Sequence, residues 1–140
     1  MTTVQDPPLF GNAVNLVNAF TEASTGVMCV TKVPRDRPKR FIRTVRVGGF
    51  RRDVVTDVAR IVFECWNTSS TAAERDAQMV RDLFYRAQGT TFRAEGQSYK
   101  VHGVDEVAAP ADNPDPDTTA SRYTLTLEIH LRGRFHKETP

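Results

Sequence analysis

Between residues 122 and 132 apolar and polar side chains alternate without a break. Tyr123, Leu125, Leu127, Ile129 and Leu131 are interleaved with Arg122, Thr124, Thr126, Glu128, His130 and Arg132. A period of two sends one set to a dry face and the other to a wet one, which predicts a half-buried antiparallel strand. Residues 59–66 carry the same period, with Ala59, Ile61, Phe63 and Cys65 opposite Arg60, Val62, Glu64 and Trp66. Residues 40–47 also read as extended, with Phe41, Val45 and Val47 on one side and Ile42, Thr44 and Arg46 on the other. Gly48-Gly49 is expected to break that strand, leaving residues 50–57 as a loop or wide hairpin connection. Two shorter strands are predicted: residues 27–33, closed by Pro34, and residues 98–104. A loop over 108–120 follows the second, with Pro110, Pro114 and Pro116 in it.

Two segments carry the helical period instead. Leu9, Ala13, Leu16 and Phe20 recur every three to four residues, with Val14 and Val17 widening the stripe, and Thr25-Gly26 marks the end. Thr71-Ala-Ala-Glu74 fits a capping box, in which hydroxyl and carboxylate satisfy each other's orphan N–H groups. It precedes a stripe of Ala73, Ala77, Val80, Phe84 and Ala87 with Leu83 beside it, and Gly89 is placed to end the helix as its C′ residue. The resulting order, α, β, β, β, α, β, β, has too few helices to alternate with strands. It implies an α+β fold, a mostly antiparallel or mixed sheet with two helices packed on one face. At 140 residues the chain is sized for one domain. We assign it residues 9–133, with flexible segments at 1–8 and 134–140.

Nineteen Lys and Arg against seventeen Asp and Glu give a net charge of +2, but the average hides a segregation. Residues 35–52 hold eight bases (Arg35, Arg37, Lys39, Arg40, Arg43, Arg46, Arg51, Arg52) and one acid, Asp36. Residues 101–121 hold five acids (Asp105, Glu106, Asp112, Asp115, Asp117) and no Lys or Arg. Three readings fit. The basic stripe meets phosphate in salt-dependent, sequence-indifferent contact; it meets the acidic loop of a neighbouring copy in a head-to-tail interface that closes into a ring; or it is a solvated face. No RNP-type aromatic pattern or helix-turn-helix accompanies it, which argues against base readout. Arg43, Arg46, Arg51 and Arg52 are the candidate basic surface, facing a lumen or an adjacent subunit. Asp112, Asp115 and Asp117 are the candidate acidic interface loop.

The sequence offers little for catalysis. It contains no G-x-S-x-G, H-E-x-x-H, G-x-x-x-x-G-K or C-x-x-C pattern. His102, His130 and His136 are scattered and are expected as surface side chains rather than clustered metal ligands. Asp112-Asn-Pro-Asp-Pro-Asp117 superficially suggests a calcium loop, yet Asp117 stands where such a loop needs its Gly and Tyr123 where it needs its Glu. We expect no metal, no cofactor and no enzymatic activity. Cys29 and Cys65 are expected as buried thiols rather than a disulfide. No window is apolar enough for a membrane span, and residues 1–8 lack the regions of a signal peptide, so neither is expected.

Several stretches together carry a resemblance. They are the amphipathic first helix, Val33-Pro-Arg-Asp-Arg-Pro-Lys-Arg-Phe-Ile-Arg-Thr-Val-Arg-Val-Gly-Gly49, and Asp53-Val-Val-Thr-Asp-Val-Ala-Arg-Ile-Val-Phe-Glu-Cys-Trp66. An Ala-rich helix and Pro114-Asp-Pro-Asp-Thr-Thr-Ala-Ser-Arg-Tyr-Thr-Leu-Thr-Leu-Glu-Ile129 complete the pattern. Over residues 9–133 the chain resembles the lambda-type tail terminator proteins of siphophages, particularly those infecting actinobacteria. The resemblance implies an α+β virion subunit, assembled in the host cytoplasm, that forms a hexameric ring on the head-proximal end of the tail tube. Such a ring stops tube polymerisation, offers a surface to head-completion or connector proteins of the neck, and lets viral DNA pass without sequence-specific contact. A head-completion or connector-adaptor subunit of the same neck, and a small non-sequence-specific nucleic-acid-binding module, remain as alternatives. The residues 134–140 extend past the resemblance.

Overall fold

The computed structural model describes residues 8–9, 12–94 and 96–135. In chain order they form β1 (Pro8–Leu9), α1 (Ala13–Thr25), β2 (Cys29–Val30), β3 (Phe41–Asp53), β4 (Thr56–Asn67), α2 (Ser70–Ala87), β5 (Thr91–Ala94), β6 (Gln97–Asp112), β7 (Ser121–Arg132) and β8 (Arg134–Phe135). Six strands make one sheet in the order β2-β3-β4-β7-β6-β5, antiparallel except for the parallel β2–β3 pair. Both helices pack on one face of it, so the chain is α+β with a mixed sheet, as its pattern of apolar positions implies.

The strongest alternations occupy the centre. β4 and β7 pair along their whole length, from Thr56 opposite Arg132 to Asn67 opposite Ser121. Ala59, Ile61, Phe63 and Cys65 of β4 and Leu125, Leu127, Ile129 and Leu131 of β7 are all buried on the helix side. α2 lies over them on its stripe of Ala73, Ala77, Val80, Phe84 and Ala87, whose three alanines let helix and sheet approach closely. Leu16 and Val17 of α1 join the same core. Each such Leu, Ile, Val or Phe side chain withdrawn from water contributes about 1.5–3 kcal/mol before chain entropy is set against it. Phe20 of α1 sits 5.5 Å from Phe84 and 5.1 Å from Phe92 of β5, while Thr44 of β3 donates its hydroxyl to Asn18 of α1 at 2.6 Å. One helix therefore touches strands from both sides of the sheet, which is curled around it.

Element boundaries depart from the sequence expectation where a short-range interaction overrides the periodicity. α1 starts at Ala13, not Leu9, because the Asn12 side chain accepts from the N–H groups of Val14 and Asn15. Leu9 instead belongs to a two-residue antiparallel ladder in which Pro8 faces Phe135 and Leu9 faces Arg134. Pro8, Arg134 and Phe135, which fall in the segments expected to be flexible, are thus part of a ladder. Residues 1–7 and 136–140, with His136, lie outside the described residues. Of residues 27–33 only Cys29–Val30 pairs, alongside Ile42 and Arg43.

Gly48-Gly49 does not end β3. The register slips between Arg46 and Gly48, and positive φ angles of 147° and 111° at the two glycines carry the backbone through the irregularity. The strand then runs to Asp53 and turns through Val54 and Val55 into β4, so residues 50–57 are strand and tight turn rather than loop. α2 is capped by Ser69, whose Oγ accepts from Ala72 N–H at 3.1 Å. Thr71 and Glu74 lie inside the helix, and the expected capping box is displaced. Gly89 follows the C-cap Gln88 with φ 84°, as the C′ position favours. β5, with exposed and half-buried residues alternating, has no counterpart among the predicted strands. β6 continues through Pro110 to Asp112 by means of three register irregularities, so the loop opens at residue 113 instead of 108.

Candidate functional site

The face of the sheet opposite the helices is lined by the even-numbered residues of β4 and β7. Alternation that buries Ile61 and Leu127 necessarily turns Arg60, Glu64, Glu128 and His130 outward on this face. Opposite charges meet there across strands: Arg60 with Glu128 at 2.7 Å and Arg43 with Glu64 at 3.0 Å. Arg46 forms a two-pronged pair with Asp57, both bonds at 2.8 Å, on the helix side of the β3–β4 ladder. Arg40 binds Asp76 of α2 through Nε at 3.0 Å and Nη2 at 2.7 Å, and Asn67 completes that buried carboxylate at 2.9 Å. Hydrogen bonding to the carboxylate raises the pKa of Arg40, and Asp57 does the same for Arg46.

The four candidate arginines are thus strung along β3, each with partners in its own chain. Arg43 holds Glu64 and the Thr31 carbonyl, and Arg46 holds Asp57. Arg51 donates to the Val54 carbonyl and Arg52 to His130. The candidate acids stand at the end of the sheet where β3 begins, level with Arg43 and far along the strands from Arg51 and Arg52. Asp112 ends β6 opposite Tyr123. Asp115 accepts from the N–H of Asp117 at 2.9 Å and lies 3.9 Å from Arg37, the contact at which the basic and acidic segments meet within one chain. Asp117 is exposed. The structure does not bring Arg43, Arg46, Arg51 or Arg52 onto Asp112, Asp115 or Asp117 within the subunit.

The loop after β6 is fastened over Trp66. Phe41 stacks on the indole at 5.5 Å with 10° between planes, and the guanidiniums of Arg37 and Arg122 sit 5.2 and 5.1 Å from its centroid. Arg122 also donates to the Asn113 carbonyl at 2.7 Å. Beside this cluster is a notch of about 280 Å³ bordered by Lys39, Thr68 and Thr119. Trp66 is only 2% exposed, which leaves no indole face for a ligand to stack on.

His130 is the residue that the pattern of alternation misplaces. It lies on the wet face as expected, yet it is 9% exposed rather than a surface side chain. Val58 and Gly103 flank it on the two neighbouring strands. The ring packs over Gly103, where a Cβ would stand in ordinary contact with it at 3.7 Å. Arg52 Nη2 lies 3.1 Å from Nδ1 and Asp105 Oδ2 lies 2.9 Å from Nε2. Because a guanidinium can only donate, Nδ1 must accept and the ring proton resides on Nε2, aimed at Asp105. The chain Arg52, His130, Asp105 therefore crosses the sheet from β3 to β6. With both ring nitrogens engaged, His130 cannot take a substrate proton without breaking one of these ties. The opposite charges 53 residues apart in sequence, on β3 and β6, were the available signal, but nothing in the sequence says which histidine lies between them.

Burial pushes the Cys65 thiol up, and burial reinforced by Glu22 pushes the half-buried Cys29 up to about 12. Both are free thiols, so neither is a thiolate nucleophile at neutral pH. Among the described residues no group of three or more His, Cys, Asp or Glu could hold a metal ion.

What the sheet leaves open is its margins. β2 covers β3 only at Ile42 and Arg43, and β5 covers β6 only at residues 97–100. Among the described residues, the outer sides of residues 45–53 on β3 and 105–112 on β6 have no strand partner. They belong to opposite sides of the sheet. The first holds three arginines against one aspartate and the second three carboxylates and no base. Compared with known proteins, the chain matches no family model and no curated sequence.

Proposed function

We propose that the chain is a non-enzymatic structural subunit that forms a ring, on the terminator pattern a hexamer, and caps the head-proximal end of a phage tail tube. There it stops addition of tube protein, presents the joining surface to head-completion or connector proteins, and leaves a lumen for the viral DNA. The observation that carries this reading is the pair of unlike sheet margins. A closed ring of identical copies requires two different, mutually complementary patches on each subunit, and one basic and one acidic margin on opposite sides of the sheet supply them. The engagement of Arg37, Arg40 and Arg43, which lie off the open β3 margin, by carboxylates of the same chain weighs against the nucleic-acid-binding module, which needs a longer run of free cations for phosphate.

The test mixes the pure protein with polymerising tail tube protein and images the products in negative stain with a gold-labelled antibody to the chain. The expected result is label at one end of each tube and shorter tubes as the chain is added. Label on DNA-filled heads with bare tube ends would transfer the chain to the adaptor role. Binding to free DNA that collapses with added salt, with no tube or head label, would leave the nucleic-acid module in its place.

A further inference from the structure

Resting on the ring reading above, we propose that neighbouring copies are joined by main-chain hydrogen bonds. The end of β3, residues 50–53, of one copy pairs with residues 105–109 of β6 in the next, so that the sheet runs on from subunit to subunit. A strand at a sheet margin leaves a row of N–H and C=O groups able to template another strand, and a long unprotected margin invites aggregation. Both margins here carry apolar side chains that a solvent-facing edge has no use for. Of the six large apolar side chains exposed among the described residues, Val47, Phe50 and Val54 lie on or beside the β3 margin and Val107 on the β6 margin, between 45% and 57% exposed.

Three features specify a second copy as the occupant. The first is charge: Arg51 and Arg52 lie in one segment and Asp105, whose side chain is 67% exposed, in the other, opposite in sign across a seam, while Glu106 is held by Arg81 of its own chain. The second is direction. β3, β4, β7 and β6 alternate strictly, so a copy related by rotation about an axis to which the strands are inclined brings its β3 antiparallel to β6 and the alternation continues unbroken. The two open segments lie at different heights in the sheet. The strands must therefore tilt against the ring axis, because an offset along that axis would give an open helix, whereas tilt supplies the stagger of a closed strand ring. The third is length. The irregularity at Gly48-Gly49 bounds one segment and Pro110, which has no N–H to give, bounds the other. Each margin is thereby trimmed to four or five residues, with a further register irregularity inside each, between Arg51 and Asp53 and between Glu106 and Ala108, which makes it a poor template for an arbitrary strand. Ring closure then pairs residues 50–53 and 105–109 of every copy.

The experiment uses the full chain carrying Phe50→Cys together with Val107→Cys, oxidised and run on non-reducing gels beside each single variant. Light scattering of the wild type and of Val107→Asp runs in parallel. The expected result is a ladder of covalent multimers from the double variant, absent from the singles. The wild type is expected to give a multimeric mass, which falls to that of the monomer in Val107→Asp while its circular dichroism is unchanged. A wild-type multimer with no ladder, and with its mass unmoved by Val107→Asp, overturns the seam but leaves a ring held by other contacts. A wild type that is monomeric at every concentration overturns the seam as an association the copies make by themselves, and the tube-end images then decide the cap separately.

Discussion

Gly49→Ala and Gly48→Ala form a matched pair, because the two glycines are adjacent and both have positive φ, yet only one is crowded. A Cβ built at Gly49 would fall on the carbonyl oxygen of Val58 and stand 3.0 Å from the Arg60 nitrogen. Both atoms are backbone of β4, which β7 pins from the other side, so no rotamer change relieves the clash and the β3–β4 ladder must part. A Cβ at Gly48 meets nothing within 4 Å. Alanine at Gly48 therefore meets backbone strain alone, about 1–3 kcal/mol. Alanine at Gly49 meets similar strain plus the loss of roughly two ladder hydrogen bonds at about 0.5–1.5 kcal/mol each. We expect Gly49→Ala to be the less stable by about 2 kcal/mol. The assay is urea unfolding of both variants followed by far-UV circular dichroism, with hydrogen exchange of the hairpin amides showing where protection is lost. Equal unfolding free energies, or a more stable Gly49→Ala, would refute the crowding and with it the placement of the β3 end against β4.

Two further outcomes follow from buried groups. Arg40→Ala leaves the Asp76 carboxylate, 5% exposed, with Asn67 as its remaining side-chain partner; breaking a fully buried pair costs about 3–5 kcal/mol, and the half-exposed arginine discounts this to about 2 kcal/mol. Thermal unfolding reads the loss, and adding Asp76→Asn should recover part of it; no drop on Arg40→Ala would contradict the pairing. For the thiols, the folded pKa lies above the unfolded value of about 8.5, so the unfolded chain sheds its protons first. The thiol contribution to stability is complete below that pH and declines as pH rises toward about 12 for Cys29. Native protein at pH 8.5 should resist iodoacetamide at both cysteines and take up two equivalents after denaturation, and rapid native labelling of Cys65 would contradict its burial.

The elements legible in the sequence were those whose packing repeats the period of the chain. β7, β4 and the apolar stripe of α2 are half-buried by construction, so their alternation and their placement coincide. The margins were not legible, because a strand exposed on one side and at its edge carries no burial period: residues 46–53 of β3 are exposed throughout. Glycine at 48–49 and proline at 110 predict breaks, whereas ladder pairing on one side holds the strand together and converts both into irregularities within it. The charge segregation between residues 35–52 and 101–121 was plain in one dimension. Its meaning was not, since cross-strand neighbours such as Glu64, Asp57 and His130 come from a register that no local pattern encodes.

The small ladder between Pro8–Leu9 and Arg134–Phe135 brings the two ends of the described chain to one corner of the molecule, beside the β3–β4 turn, where Gly133 donates to the Val55 carbonyl at 2.9 Å. An affinity handle or fluorophore joined directly before Pro8 or directly after Phe135 will thus crowd the same neighbourhood, and swapping it from front to back relieves nothing. The stretch 113–120, at the far pole between Asp112 and Ser121, is where a reporter can be inserted while keeping clear of that corner.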